Sequence, residues 1–128
     1  MIALHHVQVA CPPGGEDDAR RFYVDGLGLT EVDKPEPLRG RGGAWFRGYD
    51  VRGAVSAEVH VGVEEPFVPA RKAHPAFVVM DLYAVAGSLK AAGFEVDECE
   101  CHTFPGYRRF HTHDAAGNRV EVLQATLP

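Results

Sequence analysis

The feature that most constrains the fold is a repeat at half the length of the chain. Two apolar segments, residues 3–10 and 74–81, each carry a histidine ahead of alternating apolar residues, and a helical pattern follows each. His6 and His74 are 68 residues apart in a chain of 128 residues, and self-similarity at a fixed spacing indicates a duplicated module. The chain therefore reads as one domain built from two modules, about residues 1–64 and 72–128.

Each module is predicted to contain a strand, a helix and three further strands. Alternating apolar residues predict strands, and apolar residues at helical spacing predict helices. The first module is expected to have a helix over 16–23 and later strands over 29–32, 44–47 and 54–63. The second is expected to have strands over 74–80, 94–99, 107–113 and 119–124, and a helix over 82–92. This order predicts the α+β class, as two βαβββ modules.

Composition and charge narrow the set of partners. The formal net charge is −5 and the basic residues form no stripe, which argues against nucleic acid as a partner. No apolar run approaches the roughly 18 residues of a membrane-spanning helix, and the N-terminus has no signal pattern. We therefore expect a soluble cytoplasmic protein with no membrane partner. The three cysteines are expected to be unpaired thiols.

Several strands alternate between an apolar face and a polar face, and the polar residues are of metal-ligand type. His6 shares a face with Gln8, Glu58 shares a face with His60, and Glu121 lies opposite valines. Imidazole and carboxylate groups are costly to bury unpaired and are natural ligands of divalent cations. If these strands line one concave sheet, their polar face would hold two or three imidazoles and one or two carboxylates. Such a set suits Fe(II), Mn(II), Ni(II), Co(II) or Zn(II).

Each residue also has an ordinary interpretation. A single strand histidine is more often a surface or hydrogen-bonded residue than a ligand, and a single glutamate such as Glu121 is more often solvated. The repetition in both halves favours the metal-site interpretation. His5 points to the opposite face from His6 and is interpreted as structural, whereas His111 and His113 are interpreted as residues of the site rim or surface.

The sequence resembles a known superfamily. His6 at the first strand, His74 followed by Ala76-Phe77 and Asp81, and the ending Phe110-x-x-x-Asp114-x-x-Gly117-Asn118-x-Val120-Glu121 are similar to the motifs of the vicinal oxygen chelate superfamily. That superfamily includes glyoxalase I, bleomycin- and fosfomycin-resistance proteins, methylmalonyl-CoA epimerase and extradiol dioxygenases. The resemblance covers nearly the whole chain. One difference is that Asp114 is followed by Ala115 instead of the usual proline.

The resemblance implies a cupped, open mixed sheet around a divalent metal. His6, His74 and Glu121 fall on metal-ligand positions, and the position on the fourth strand falls on Glu58 or His60. We favour His60 because it lies deeper in the alternating run. A carboxylate released from or near the metal, Glu121 or Glu58, is expected to move a proton during catalysis. On the strand that precedes Glu121, alternation with Phe110 as a core residue predicts that Tyr107, Arg109 and His111 face the substrate. Alternatively, Arg109 pairs with Glu121 or Glu58 and only neutralises its charge.

Three functions are compatible with this resemblance. The leading hypothesis is a small metal-dependent enzyme of the glyoxalase class, a lyase or isomerase that chelates two adjacent oxygens of a small molecule. A drug-binding or small-ligand-binding protein of the resistance type, without turnover, is the second. An extradiol-type dioxygenase is the third, although such enzymes are generally longer. A homodimer is expected in each case.

Overall fold

The computed structural model describes residues 1–127 and shows two α-helices and seven strands in the predicted order. In chain order the elements are β1 (Val7–Cys11), α1 (Glu16–Arg20), β2 (Thr30–Val32), β3 (Ala44–Tyr49), β4 (Val55–Val63), β5 (Ala76–Val78), α2 (Leu82–Ala91), β6 (Tyr107–His113) and β7 (Arg119–Ala125). A π-helical segment over Arg21–Gly26 continues α1, so the first helical region is longer than predicted. A 3-10 helix over Glu36–Arg41 occupies part of the long loop before β3.

The strands form two sheets, one from each module, with four strands in the first and three in the second. The first sheet has the order β1-β4-β3-β2 and the second has the order β5-β7-β6. In each sheet the opening strand of the module pairs in parallel with its last strand, which pairs antiparallel with the strand before it. The predicted α+β class is therefore confirmed, and the first module has the complete predicted βαβββ order.

The second module lacks the continuous strand that was predicted over residues 94–99. Only Asp97 pairs with β6, through two backbone hydrogen bonds with His111 of 2.8 and 2.9 Å. The carboxylate of Asp97 accepts a 2.9 Å hydrogen bond from the backbone N–H of Cys99, which turns the chain away from the sheet. Local side-chain chemistry thus ends this strand after a single pair.

The two opening strands are shorter than predicted. β1 begins at Val7, so His6 lies directly ahead of it, and β5 covers only Ala76–Val78. Pro75 has no N–H to donate to a strand ladder. At the other end, the carboxylate of Asp81 caps α2 by accepting a 3.0 Å hydrogen bond from Ala84 N. The histidines of the repeat therefore lie just outside the strands they precede.

One hydrophobic core joins the two modules. The first sheet contributes Phe46, Val59 and Val61 to this core, and the second contributes Phe110, Val120 and Val122. The helical regions approach closely beside it, because a Cβ on Gly26 would lie 2.6 Å from Cδ2 of Leu89. Since alternate residues of a strand point to opposite faces, each sheet turns its polar face away from the shared core. None of the helices in residues 1–127 has the length and apolar character needed to cross a bilayer.

Candidate metal centre

A group of three metal-type ligands lies on the polar face of the second sheet. The donor atoms of His74, His111 and Glu121 all lie within 4.8 Å of one another. His111 and Glu121 are directly opposite each other in the β6–β7 ladder, and their side chains point away from the core because Phe110 and Val122 point into it. His74 reaches the group from the segment ahead of β5. We call this trio the second-sheet group.

The contact between His74 and Glu121 fits a bound cation. Nδ1 of His74 lies 2.8 Å from the carbonyl oxygen of Lys72, and Nε2 lies 2.9 Å from Oε1 of Glu121. A neutral imidazole has one N–H, and when Nδ1 donates it to the carbonyl of Lys72 the Nε2 lone pair faces the carboxylate, as two ligands of one cation would. Nε2 of His111 lies 3.7 Å from the same Oε1. Two imidazoles and one carboxylate at these separations are a suitable donor set for a divalent transition metal.

Arg109 binds Oε2 of Glu121, the carboxylate oxygen that His74 does not contact. Nη1 donates to Oε2 of Glu121 at 3.1 Å, Nη2 donates to Oγ1 of Thr103 at 2.8 Å, and Nε donates to the carbonyl of Glu100 at 3.2 Å. Burial raises the pKa of Glu121, but the hydrogen bonds from Arg109 and His74 outweigh it, so this pKa lies below its usual value of 4.5. The carboxylate is therefore ionised at neutral pH and ready to bind a cation.

The polar face of the first sheet carries a different arrangement, a stack of three rings. The indole of Trp45 lies 3.7 Å from the imidazole of His60 with an interplanar angle of 3°. The ring of His6 lies 4.0 Å from that of His60, at 20°. These side chains come from or directly precede β3, β4 and β1, which are neighbours in the sheet. We call this set the ring stack.

Glu58 supports the ring stack from beside it. Its Oε2 accepts a 2.7 Å hydrogen bond from Nε2 of His60, and its Oε1 accepts a 2.6 Å bond from Nε of Arg47. Burial raises the pKa of Glu58, but the bonds from His60 and Arg47 bring it below its usual value. His60 uses Nε2 in this pair, so only its Nδ1 remains to coordinate a metal.

The structure thus divides the residues predicted for the site between the two sheets. His74 and Glu121 come together, whereas His6 and His60 lie in the ring stack with Glu58 beside them. Arg109 contacts Glu121, and Tyr107, at the start of β6, packs edge-on against Phe104 with 5.1 Å between ring centroids. His111 was predicted to face the substrate and to lie at the rim, but it is buried within the second-sheet group. The β6–β7 register, counted from the turn, was the sequence signal that could have placed it there.

The turn before β7 fixes the position of Glu121. Oδ2 of Asp114 accepts hydrogen bonds from the hydroxyl of Tyr23 at 2.8 Å and from Nδ2 of Asn118 at 3.0 Å, and Oδ1 accepts from the backbone N–H of Asn118 at 2.9 Å. Nδ2 of Asn118 also donates to the carbonyl of Ala10 in β1 at 2.8 Å. Gly117 has φ +94°, which favours glycine. This buried network connects β1, the first helical region and the start of β7.

Comparison with known proteins agrees with this fold. A family model described as the Glyoxalase/Bleomycin resistance protein/Dioxygenase superfamily matches residues 3–122. The chain belongs to this superfamily. A search of curated proteins found no match.

Solved structures with a similar fold cover nearly the whole chain. A glyoxalase family protein from Bacillus anthracis is 39% identical, with a TM-score of 0.86 over 98% of this chain and 97% of that one. TnmS3, an antibiotic-binding protein from Streptomyces sp. CB03234, is 22% identical, with a TM-score of 0.66 over 98% of this chain and 100% of that one. The fosfomycin resistance protein FosX from Listeria monocytogenes, complexed with Mn(II) and a sulfate ion, is 15% identical, with a TM-score of 0.70 over 99% of this chain and 94% of that one. The two more distant structures support the shared fold.

The buried histidines make stability depend on pH. Burial lowers the pKa of His60 and of His111 below the usual value of 6.5. Below about pH 6.5 the histidines of the unfolded chain take up protons while His60 and His111 of the folded chain stay neutral, so protonation favours the unfolded state. The stabilisation from these two neutral histidines is therefore complete above about pH 6.5 and is lost as the pH falls towards their lower folded pKa values. We expect the free energy of unfolding, measured with urea, to fall as the pH is lowered from about 7.5 to about 5.5. The His60→Gln variant should show a weaker dependence, and His113→Gln, at an exposed position, should keep the dependence of the wild type.

Proposed function

We propose that this chain is a small metal-dependent enzyme of the glyoxalase class, with its metal bound at the second-sheet group. The observation that supports this most is the 2.9 Å approach of Nε2 of His74 to Oε1 of Glu121, with His111 beside them. The lowered pKa of His111 keeps that imidazole neutral at pH 7, which is the form that coordinates metals. Two histidines and one carboxylate leave open coordination positions for a substrate. Zn, Ni, Fe, Mn and Co remain the metals to test.

We further propose that His6 completes the metal site from a second copy of the chain. Among residues 1–127, the metal-type group within one chain contains His74, His111 and Glu121 but not His6. A homodimer in which the first sheet of one copy covers the second sheet of the other would bring His6, and His60 behind it, to that group. The proposed ligand set is then His74, His111 and Glu121 of one copy with His6 of the other.

Mixing two defective variants tests the shared site. In the His6→Ala and Glu121→Ala homodimers every site lacks one ligand. After subunit exchange, each mixed dimer contains one site with all its ligands and one site that lacks both. We expect Mn(II) sites of wild-type affinity to appear in the mixture, at about one per mixed dimer, and to be absent from either variant alone. If no tight sites appear although the chains have exchanged, His6 does not act across a dimer.

The chemistry follows from the groups around the proposed site. A bound divalent metal would hold two adjacent oxygens of the substrate and act as a Lewis acid on the charge that develops there. Glu121, ionised and held by Arg109, can accept a proton from the substrate, and Glu58 is a second carboxylate for proton transfer if the first sheet covers the site. Tyr107 and Arg109 line the same face of β6, where Arg109 supplies a cation close to an anionic substrate.

A substrate screen distinguishes the proposed enzyme from the two alternatives. The metal-loaded protein should convert a hemithioacetal or an oxo-acid thioester without consuming oxygen, and Glu121→Gln should remove the activity. Oxygen uptake with a catechol would indicate an extradiol dioxygenase instead. Saturable binding of a drug such as bleomycin, with no turnover of any compound, would indicate a binding protein of the resistance type.

A further inference from the structure

The ring stack occupies the same place in the first module as the second-sheet group does in the second. His6 precedes β1 as His74 precedes β5, and the strand registers extend this equivalence. Val61 pairs with Val9 as Val122 pairs with Phe77, so His60 corresponds to Glu121. Trp45 is opposite His60 as His111 is opposite Glu121. One module thus carries three metal-type ligands where the other carries three stacked rings.

The first module has Trp45 at the position that His111 occupies in the second module, and this difference changes which ligands the first-sheet position can bind. An indole offers no metal ligand, and among residues 1–127 a cluster of metal-type ligands occurs only in the second-sheet group. The three rings instead stack face to face, with centroid spacings of 3.7 and 4.0 Å. Because His60 covers one face of Trp45, a further ring would stack on the opposite face of the indole, in the offset arrangement that aromatic pairs prefer.

A cavity of about 210 Å³ lies beside this stack. Trp45, His60 and Gln8 line one side of it, and the loop before β3 lines the other with Lys34, Leu38 and Arg41. Its volume is smaller than the roughly 300 Å³ at which pockets for drug-sized ligands begin, so it suits a molecule with a single ring.

The cavity has a positive wall with no acidic side chain. None of its lining residues is Asp or Glu. Nζ of Lys34 donates to the carbonyl of Gly42, a neutral group, and Arg41 forms no ion pair with the part of the chain that the structure describes. The carboxylate of Glu16 lies close to this loop, where it accepts a 3.0 Å hydrogen bond from Gly43 N, but it forms no ion pair with Lys34 or Arg41. Two cations on the cavity wall without ion-pair partners in residues 1–127 favour an anionic ligand.

We propose that this cavity binds a small aromatic carboxylate, with its ring against Trp45 and its carboxylate between Lys34 and Arg41. The ring stack supplies the flat apolar contact, and the two cations supply the charge. Gln8, whose amide lies over Gly62, adds a polar group at the edge of the ring. This inference goes beyond the proposed metal chemistry and does not depend on it.

The single tryptophan of the chain reports directly on the cavity. Benzoate, titrated in the presence of EDTA, should change the fluorescence of Trp45 to saturation. Benzamide, which has the same shape without the charge, and cyclohexanecarboxylate, which has the charge without the aromatic ring, should each bind about tenfold more weakly or worse. Equal responses to benzoate and benzamide, or no saturable change with benzoate, would overturn the proposal.

Two variants locate the binding. Arg41→Ala should weaken benzoate binding about tenfold, while Arg52→Ala, which removes an exposed arginine on the β3–β4 turn, should leave it unchanged. If Arg41→Ala and Arg52→Ala behave alike, the cavity is not the binding site. A failed benzoate titration, or equal behaviour of the two arginine variants, would leave the proposed metal binding at His74 and Glu121 unaffected.

Discussion

Replacing Asp114 by alanine is expected to lower the free energy of unfolding by about 3 kcal/mol or more. The carboxylate accepts hydrogen bonds from the hydroxyl of Tyr23, the side chain of Asn118 and the backbone N–H groups of Ala116 and Asn118. Burial, with the charge of Asp114 and the hydrogen bond to it, raises the pKa of Tyr23 well above 10, so this hydroxyl is always a donor. Without Asp114 these buried donors lose their acceptor, and each such loss costs about 1–3 kcal/mol.

Urea unfolding of Asp114→Ala at pH 7.5 measures this cost, and Asp25→Ala serves as its control. Asp25 is exposed, so its removal should change the free energy of unfolding by no more than about 0.5 kcal/mol. The Tyr23→Phe variant removes a single donor and should cost less than Asp114→Ala. If Asp114→Ala is as stable as Asp25→Ala, the network does not anchor β7, and the position of Glu121 has another cause.

Replacing Glu121 by glutamine is expected to weaken Mn(II) binding by at least about 100-fold. Loss of a residue that only hydrogen-bonds to a metal ligand typically weakens metal affinity by about 10–100-fold. Because Glu121 is proposed to coordinate the metal itself, its loss should weaken metal affinity by at least the upper end of that range. Glutamine keeps the size of the side chain and an oxygen for Arg109, but it removes the charge that attracts the cation. Calorimetric titration with Mn(II) measures the change.

The matched control is Glu95→Gln, at an exposed position of the segment before Asp97. It should bind Mn(II) with the affinity of the wild type. Urea unfolding of both variants separates loss of a ligand from loss of the fold. Wild-type affinity in folded Glu121→Gln would place the metal elsewhere.

The repeat, the strand faces and the motif at the turn could all be predicted because they depend on local patterns. Alternation along β4 and β7 correctly placed Glu58, His60 and Glu121 opposite the valines of the core. The spacing of His6 and His74 correctly indicated two modules with equivalent strands. These features are encoded within a few residues of one another, or by a repeat that is visible in the sequence.

The separation of the predicted ligands into two groups could not be read from the sequence. It depends on how the two sheets pack around one core, which is a long-range property of the fold. The position of His111 opposite Glu121 could have been inferred by counting the register from the turn, but its burial depends on long-range packing. Pairing of Arg109 with Glu121 was one of two alternatives open from the sequence, and the structure shows that contact. The stacking of Trp45 on His60 likewise depends on the register of Trp45 opposite His60.

We propose that the two modules bind different ligands at equivalent positions. The second-sheet group has the charge and donor atoms that a metal requires, and the cavity beside the ring stack has the indole of Trp45 and the cations Lys34 and Arg41 that suit an aromatic anion. If two copies associate as proposed, these two positions meet in one cavity, so a ligand held at Trp45 would lie in front of the metal.

The most direct test of the central proposal is anomalous X-ray scattering from crystals of the untagged protein grown with Mn(II). We predict one strong manganese peak per chain, in contact with His74, His111 and Glu121, with His6 of a second copy completing the site. Absence of a peak between His74 and Glu121 in protein saturated with Mn(II), or manganese bound only elsewhere, would contradict the assignment of this group as a metal centre.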